Sequence, residues 1–168
     1  MNDAQCEALF RSWLRDYSGI VSKIARAFTT TESDRDDLIQ EILLRLWTSI
    51  RTFRGEAKPS TWIYRIAFNR ALTWQRDETR KRRTRVALVE AVDERDEEHA
   101  RGERLDCVYA AIRQLDEIDR SLILMSLDGC SYREIGEVLD LSESNVGVRL
   151  SRIKQKLARL LTEDGHER

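Results

Sequence analysis

The sequence predicts an all-α fold of two small helical domains joined by a flexible acidic linker. Apolar residues recur at three- and four-residue spacing along most of the 168 residues, strand-like alternation is absent, and Pro59 is the one proline. From about residue 84 the sequence turns acidic and poor in apolar residues, which favours a mobile segment over a packed one. We therefore predict domains at residues 1–84 and 105–168 and the linker at 85–104, with a solvated acidic helix as the alternative for the linker.

The first domain is expected to begin with helices at 5–28 and from Ser33 or Asp34 to Trp47. Residues 5–28 suit one helix or two, and Ser33 or Asp34 can cap the next. The inward face of this second predicted helix is apolar. Its outward face is polar with one apolar residue and consists of Asp37, Gln40, Glu41, Leu44 and Arg45.

A basic helix follows a loop at 53–59, in which we expect Pro59 to be extended and Ser60 to cap the helix. At about 100° per residue, six of its side chains fall within a stripe about 60° wide. They are Trp62, Arg65, Asn69, Arg76, Arg80 and Arg83. An aromatic ring, an amide and four guanidinium groups in one line are suited to binding a nucleic-acid strand. Trp62 could instead be partly core.

The charge is segregated along the chain although the formal net charge is only −1. Residues 51–85 hold 11 Lys or Arg against 3 Asp or Glu, whereas residues 86–120 hold 5 against 11. A neutral chain with one basic block indicates a localised anionic partner.

The second domain contains a predicted helix-turn-helix. Ser131 and Glu134 form a capping box that opens a helix from Tyr132 to Leu139, and Ser142 can cap a longer helix after a tight turn. We interpret it as DNA-binding, with an ordinary helical hairpin as the alternative. On the longer helix the expected core face is Val146, Leu150, Ile153, Leu157, Leu160 and Leu161. Facing outward are Ser144, Val148, Ser151, Arg152, Gln155 and Arg159, with Asn145 and Arg149 on the flanks.

The sequence gives little support for a disulfide framework, a metal site, a membrane span or a catalytic site. The three cysteines, Cys6, Cys107 and Cys130, are scattered, which favours reduced thiols in a cytoplasmic protein. No metal-ligand spacing is present, so we expect no metal and no cofactor. The apolar runs are shorter than the ~20 residues needed to span a membrane, and the amino terminus does not look like a signal peptide. The dense carboxylates near Asp37 are typical of a helix start, which argues against an enzyme.

Several motifs occur in a fixed order along the chain. They are Asp37-Leu-Ile-Gln-Glu41, Leu46-Trp47, Phe53-Arg-Gly55, Thr61 to Asn69, Arg80 to Arg83, Leu115 to Arg120, Tyr132-Arg-Glu-Ile135, Ser144-Asn-Val146 and Arg149 to Arg152. Together they closely resemble the extracytoplasmic-function (ECF) sigma factors, the compact bacterial class of the sigma-70 family with only regions 2 and 4.

The resemblance implies an alternative sigma factor that binds core RNA polymerase and directs it to promoters. Region 2 would dock on polymerase through Asp37, Gln40, Glu41, Leu44 and Arg45. It would open and read the −10 element through Arg54, Trp62, Arg65, Asn69, Arg70, Arg76, Arg80, Arg82 and Arg83. Region 4 would read the duplex −35 element through Arg133, Ser144, Asn145, Val148, Arg149, Ser151, Arg152 and Gln155. The linker would thread the RNA channel of the polymerase, and an anti-sigma partner is expected on resemblance alone.

Four positions depart from the family pattern. Gly136 stands where alanine is usual, at an expected loss of helix stability, and Asn145 replaces a common threonine. Gly147 and Val148 stand where many members have basic or hydroxyl residues. The alternative to a sigma factor is a dimeric helix-turn-helix regulator with an unrelated amino-terminal domain, which leaves the basic stripe unexplained.

Overall fold

A computed structural model of the chain describes residues 2–86 and 102–163, with side chains for residues 2–81 and 104–162. The regular elements in these ranges are all helical, which confirms the predicted class. They are α1 (Asp3–Phe28), α2 (Glu32–Ser49), a 3₁₀ turn (Ile50–Thr52), α3 (Pro59–Val86), α4 (Gly102–Arg113), α5 (Glu117–Leu127), α6 (Tyr132–Leu139) and α7 (Glu143–Glu163). Helices α1–α3 form one compact unit and α4–α7 another. Most of the predicted linker lies outside the described residues, and the predicted domain boundaries stay a prediction.

The prediction that Ser33 or Asp34 caps the second helix was wrong. Helix α2 begins at Glu32, and the Thr31 hydroxyl accepts a hydrogen bond from the Asp34 backbone N–H at 3.1 Å. The Thr31 cap leaves Glu32 and Asp34 inside the first turn, where the helix dipole favours negative charge. The first helix is a single one, opened by a capping box between Asn2 and Gln5.

Helix α3 begins at Pro59, so neither the extended Pro59 nor the Ser60 cap was predicted correctly. The Trp62 N–H donates to the Lys58 carbonyl at 3.1 Å, which closes the first turn over the proline. A proline suits the first helical position because its φ is fixed near the helical value and its missing N–H would have no helical partner there. In the preceding loop, Gly55 has φ +75°, a left-handed conformation that favours glycine.

The first unit is a three-helix bundle in which each helix packs on the other two. Its centre consists of side chains that are at most 1% exposed: Ile24, Leu38, Ile42, Ile63 and Ala67. The core face of α3 also carries Tyr64 and Phe68, whose rings stack with centroids 5.6 Å apart. These two rings fill a position that the sequence analysis had not assigned. They orient α3 so that its arginine-rich face points away from the bundle.

In the second unit, α7 packs on α4, α5 and α6. The capping box of Ser131 and Glu134 is present, and α6 runs from Tyr132 to Leu139 as predicted. Val146, Leu150 and Ile153 are buried, and Leu157 and Leu160 are half-buried. Leu161 was wrongly assigned to the core: it is 37% exposed, because the last turn of α7 reaches the margin of the packed helices, where Ala158 and Arg159 are exposed too.

Gly136 lies where α6 turns back toward α7. A Cβ atom at this position would lie 2.4 Å from the Leu141 carbonyl oxygen, closer than real contacts allow. The Gly136 carbonyl also accepts a hydrogen bond from the Leu141 N–H at 3.1 Å. The expectation that Gly136 only weakens the helix was therefore incomplete, because the turn between the two helices requires a residue without a side chain at this position.

The corner between α4 and α5 is built around a buried arginine. Arg120 is 5% exposed, and its guanidinium donates to the carbonyls of Arg113 at 2.8 Å and Leu115 at 3.1 Å. Burial lowers the pKa of Arg120 from its ordinary value. Arg120 thereby satisfies carbonyls that the end of α4 leaves without helical partners.

Candidate nucleic-acid and polymerase interfaces

Trp62 belongs to an aromatic cluster at the start of α3. The Phe53 ring lies edge-on to Trp13 at 5.1 Å and to Trp62 at 5.6 Å between centroids. The indole nitrogen of Trp62 is buried and has no hydrogen-bond partner among the described residues, while the residue as a whole is half-buried. Phe53 thus links the loop to α1 and to α3, and only part of the Trp62 ring remains accessible to a ligand.

Four other residues of the predicted stripe on α3 are exposed. Arg65, Asn69, Arg76 and Arg80 all lie on the solvent side of the helix. At ~1.5 Å per residue, the line from Arg65 to Arg80 is about 22 Å long. Arg54 is exposed on the preceding loop. Arg82 and Arg83 continue the same helix, but their side chains lie outside the described ones.

Arg70, another predicted −10 residue, is half-buried and pairs with Glu41 of α2. The side chains of Arg70 and Glu41 are 23% and 41% exposed. The pair joins a predicted DNA-binding residue to a predicted polymerase-binding residue. Arg70 therefore has a role within the bundle that the sequence did not indicate.

The outer face of α2 is polar around one large apolar residue. Asp37, Gln40 and Arg45 are exposed, and Leu44 is 63% exposed. The opposite face holds Leu38, Ile42 and Leu46 in the core. The outward face matches the prediction, except that Glu41 is half-buried through its pair with Arg70. The predicted inward face was Ile39, Ile42, Leu43, Leu46 and Ile50; it omitted the buried Leu38, and Ile39 and Leu43 are only half-buried.

The outward face of α7 is accessible along its length. The exposed side chains among the predicted −35 residues are Ser144, Asn145, Val148, Ser151, Arg152 and Gln155 on α7, and Arg133 on α6. Arg133 lies 3.8 Å from a Glu137 carboxylate oxygen, a long and exposed ion pair. Charge on this face is sparse, so the unit offers few cations to phosphates.

Arg149 is engaged within the protein. Its Nε donates to Asp119 at 2.8 Å, and its Nη2 lies 2.7 Å from the same carboxylate oxygen and 3.5 Å from Asp116. Asp116 caps α5 and Asp119 lies in its first turn. The Arg149 side chain is 29% exposed, so the group predicted to read DNA is held against α5.

Tyr132 is an exposed aromatic residue that the sequence analysis did not assign to a site. It is the first residue of α6 and is 46% exposed. Its ring lies close to Gly147 of α7. A glycine inside the predicted recognition helix, opposite an aromatic residue at the start of the preceding helix, was the signal that could have identified it.

Within the described residues no group of three or more His, Cys, Asp or Glu side chains is arranged to hold a metal ion. None of the described helices is long and apolar enough to cross a membrane.

Two family matches cover most of the chain. Sigma-70 region 2 matches residues 13–81, and Sigma-70 region 4 matches residues 105–157. RNA polymerase sigma factor SigZ of Bacillus subtilis is 31% identical over 130 residues, 75% of this chain and 72% of that protein. The ECF RNA polymerase sigma-E factor of Haemophilus influenzae is 28% identical over 151 residues, 81% of this chain and 80% of that protein.

The chain belongs to the ECF sigma factors of the sigma-70 family. Solved structures share the fold of this ECF sigma factor. CnrH in complex with the cytosolic domain of CnrY has a TM-score of 0.72 at 24% identity, covering 96% of this chain and 95% of that chain. RpoE of Bartonella quintana, in complex with the anti-sigma factor NepR, has a TM-score of 0.73 at 20% identity, covering 91% of this chain and 96% of that chain. The protein is thus an alternative sigma factor, and the reading as a dimeric operator-binding regulator is not favoured.

Proposed function

We propose that this sigma factor docks on core RNA polymerase through α2, captures the melted −10 strand along α3 and seats α7 in the −35 major groove. The observation that carries the proposal is the exposed line of Arg65, Asn69, Arg76 and Arg80. These side chains form one exposed face that combines cations for phosphates with an amide for a base edge. The protein supplies binding and specificity, and the chemistry of transcription belongs to the polymerase.

We assign the −10 site to the loop that precedes α3 and to α3 itself. Taking a base out of the stack costs a few kcal/mol, and stacking on an aromatic ring returns about 1–3 kcal/mol per base. The accessible part of Trp62 would supply such a surface, and the Asn69 amide would bind an exposed base edge. Arg54 and the arginines of the line would hold phosphates, with Arg82 and Arg83 on duplex DNA upstream. We assign Arg70 to positioning α3 through Glu41.

Docking on the polymerase is assigned to the outer face of α2. Leu44 is the apolar anchor, and Asp37, Gln40 and Arg45 form a polar rim around it. Interfaces commonly place one well-packed apolar residue inside a polar rim. Glu41 would contribute through the exposed part of its carboxylate.

The −35 site is assigned to the outward face of α7. Ser144, Asn145, Val148, Ser151, Arg152 and Gln155 would face base edges, and Arg133 would hold a phosphate. Phosphate neutralisation supplies much of protein–DNA affinity, so the sparse charge on this unit predicts weak DNA binding without polymerase.

We further propose an anti-sigma partner and a cytoplasmic location. One structural relative, RpoE, is a sigma factor in complex with the anti-sigma factor NepR, and the other, CnrH, is in complex with the cytosolic domain of CnrY. The exposed Leu44 and Trp47 on α2, 63% and 42% exposed, would be a reasonable place for such a partner to block docking on polymerase.

The decisive test is transcription in vitro by bacterial core polymerase with this protein over a randomised promoter library. We expect enrichment of two short elements at fixed spacing, and no enrichment with core alone. Leu44→Asp should lower association with core by at least about tenfold, as expected for a central interface residue, whereas Arg11→Ala on the exposed side of α1 should not. The proposal fails if the protein does not associate with core, or if it binds one operator tightly by itself.

A further inference from the structure

The start of α6 and the second turn of α7 meet where an aromatic ring lies on a glycine. A Cβ atom at Gly147 would lie 3.2 Å from Cε2 and 3.7 Å from Cδ2 of Tyr132. The same tyrosine is 46% exposed. One part of the ring therefore rests on the α7 backbone while the rest is accessible to a ligand, and a larger residue at position 147 would displace it.

The ring enlarges the apolar part of the face that α7 presents. Val148 follows Gly147 and is 49% exposed. Ser144 and Ser151 lie one helical turn to either side of both positions, and neither carries a charge. The Tyr132 ring, which lies on Gly147, and Val148, which follows Gly147 on α7, are both exposed and uncharged. These three residues are called here the apolar patch.

Cations border this patch. Arg133 follows Tyr132 on α6, and Arg152 lies one turn beyond Val148 on α7; both are exposed. An apolar surface with arginines at its margins fits a duplex, in which phosphates flank the groove floor. It fits an apolar protein surface less well, since docking there would bury the arginine side chains.

We propose that the apolar patch reads the 5-methyl groups of thymines in the −35 element, with Tyr132 as a base-reading residue beside Val148. The inference rests on the proposed function of the second unit. The thymine methyl is the apolar group that base pairs display in the major groove, and apolar side chains recognise it by contact. Gly147 favours this position of the ring, because a Cβ atom there would push the ring away from α7 by a few tenths of an ångström.

The test uses the holoenzyme and a promoter selected from the library. Each thymine of the −35 element, on either strand, is replaced in turn by deoxyuridine, which removes the methyl group and leaves the hydrogen-bonding edges unchanged. We expect about a fourfold loss of affinity at one or two positions, the value of one buried methyl group. This arm uses the unmodified protein, so it does not depend on the folding of any variant.

Variants then assign the methyl contacts to side chains. Val148→Ala and Tyr132→Ala should each remove the discrimination between thymine and deoxyuridine at a different position. Tyr132→Phe keeps the ring and should keep the discrimination. Gly147→Ala should weaken the discrimination assigned to Tyr132, because its Cβ displaces the ring.

Four results would overturn the inference. A −35 element without thymine, or one insensitive to every deoxyuridine, would do so while leaving the sigma-factor function intact. Equal losses in Tyr132→Phe and Tyr132→Ala would mean that the hydroxyl holds a phosphate. Loss of core association in Tyr132→Ala and Val148→Ala would identify a protein-docking surface. If no promoter-dependent transcription occurred, the proposed function would be wrong, and this inference, which rests on it, would be wrong too.

Discussion

Gly136 lies in α6, where the chain that leads to α7 folds back onto the helix. Its helix propensity predicts a small loss of stability in α6. The larger constraint comes from the Leu141 carbonyl, which an added Cβ would approach to 2.4 Å. That contact is made across the turn, with Asp140 in a left-handed conformation at φ 57°. A propensity scale describes the helix that contains a residue and says nothing about a chain that folds back onto it.

Gly136→Ala should therefore destabilise the protein although it removes a glycine from a helix. Forcing a methyl group into this contact is expected to lower the free energy of unfolding by about 1–3 kcal/mol. Gly19→Ala is the matched control. Gly19 lies in α1 with open space within 4 Å of where a Cβ atom would be, so the change should stabilise the protein by up to about 1 kcal/mol. Urea unfolding followed by circular dichroism measures both. A stabilising Gly136→Ala would show that the turn can relax.

Among the helices, the ends that depend on residues nearby in the sequence were the ones predicted correctly. The capping box of Ser131 and Glu134 and the cap at Ser142 lie within three residues of what they stabilise, so both helices of the helix-turn-helix were located correctly. The start of α2 was missed because Thr31, Ser33 and Asp34 all have side chains suited to capping, and their identities alone do not select among them. The aromatic cluster at Phe53 joins three separate segments, which periodicity cannot reveal.

The ion pair between Arg149 and Asp119 joins α7 to α5. The two residues are 30 positions apart, so no short-range sequence pattern indicates the pair. Arg149→Gln or Asp119→Asn should each lower the free energy of unfolding by about 1 kcal/mol, with the double variant losing less than the sum. Both should weaken −35-dependent transcription without changing the preferred bases, because the pair positions α7. Selection from the promoter library compares the two variants. If Arg149→Gln alters base preference and Asp119→Asn does not, Arg149 reads DNA directly.

For the whole molecule, the segregation of charge was the most useful sequence observation. It predicted a local anionic partner in a protein whose formal net charge is −1. Most of the basic block lies on α3, and the line from Arg65 to Arg80 is exposed. The sequence could not show that Arg70 and Arg149 are held by carboxylates 29 and 30 residues away. The number of Lys and Arg residues in the sequence therefore overstates the number of cationic side chains that each unit can present to DNA.

The arginine line should be visible in the salt dependence of promoter binding. Each phosphate neutralised on a single strand contributes about 0.7 to the slope of log affinity against log salt. Arg76→Ala combined with Arg80→Ala should reduce the slope for holoenzyme on a promoter with a melted −10 region by about 1.4. Arg11→Ala on α1 should leave it unchanged, since that exposed side chain pairs with Glu7. An unchanged slope in the double variant would place the melted strand away from this face of α3, and the −10 assignment would have to move to the loop around Arg54.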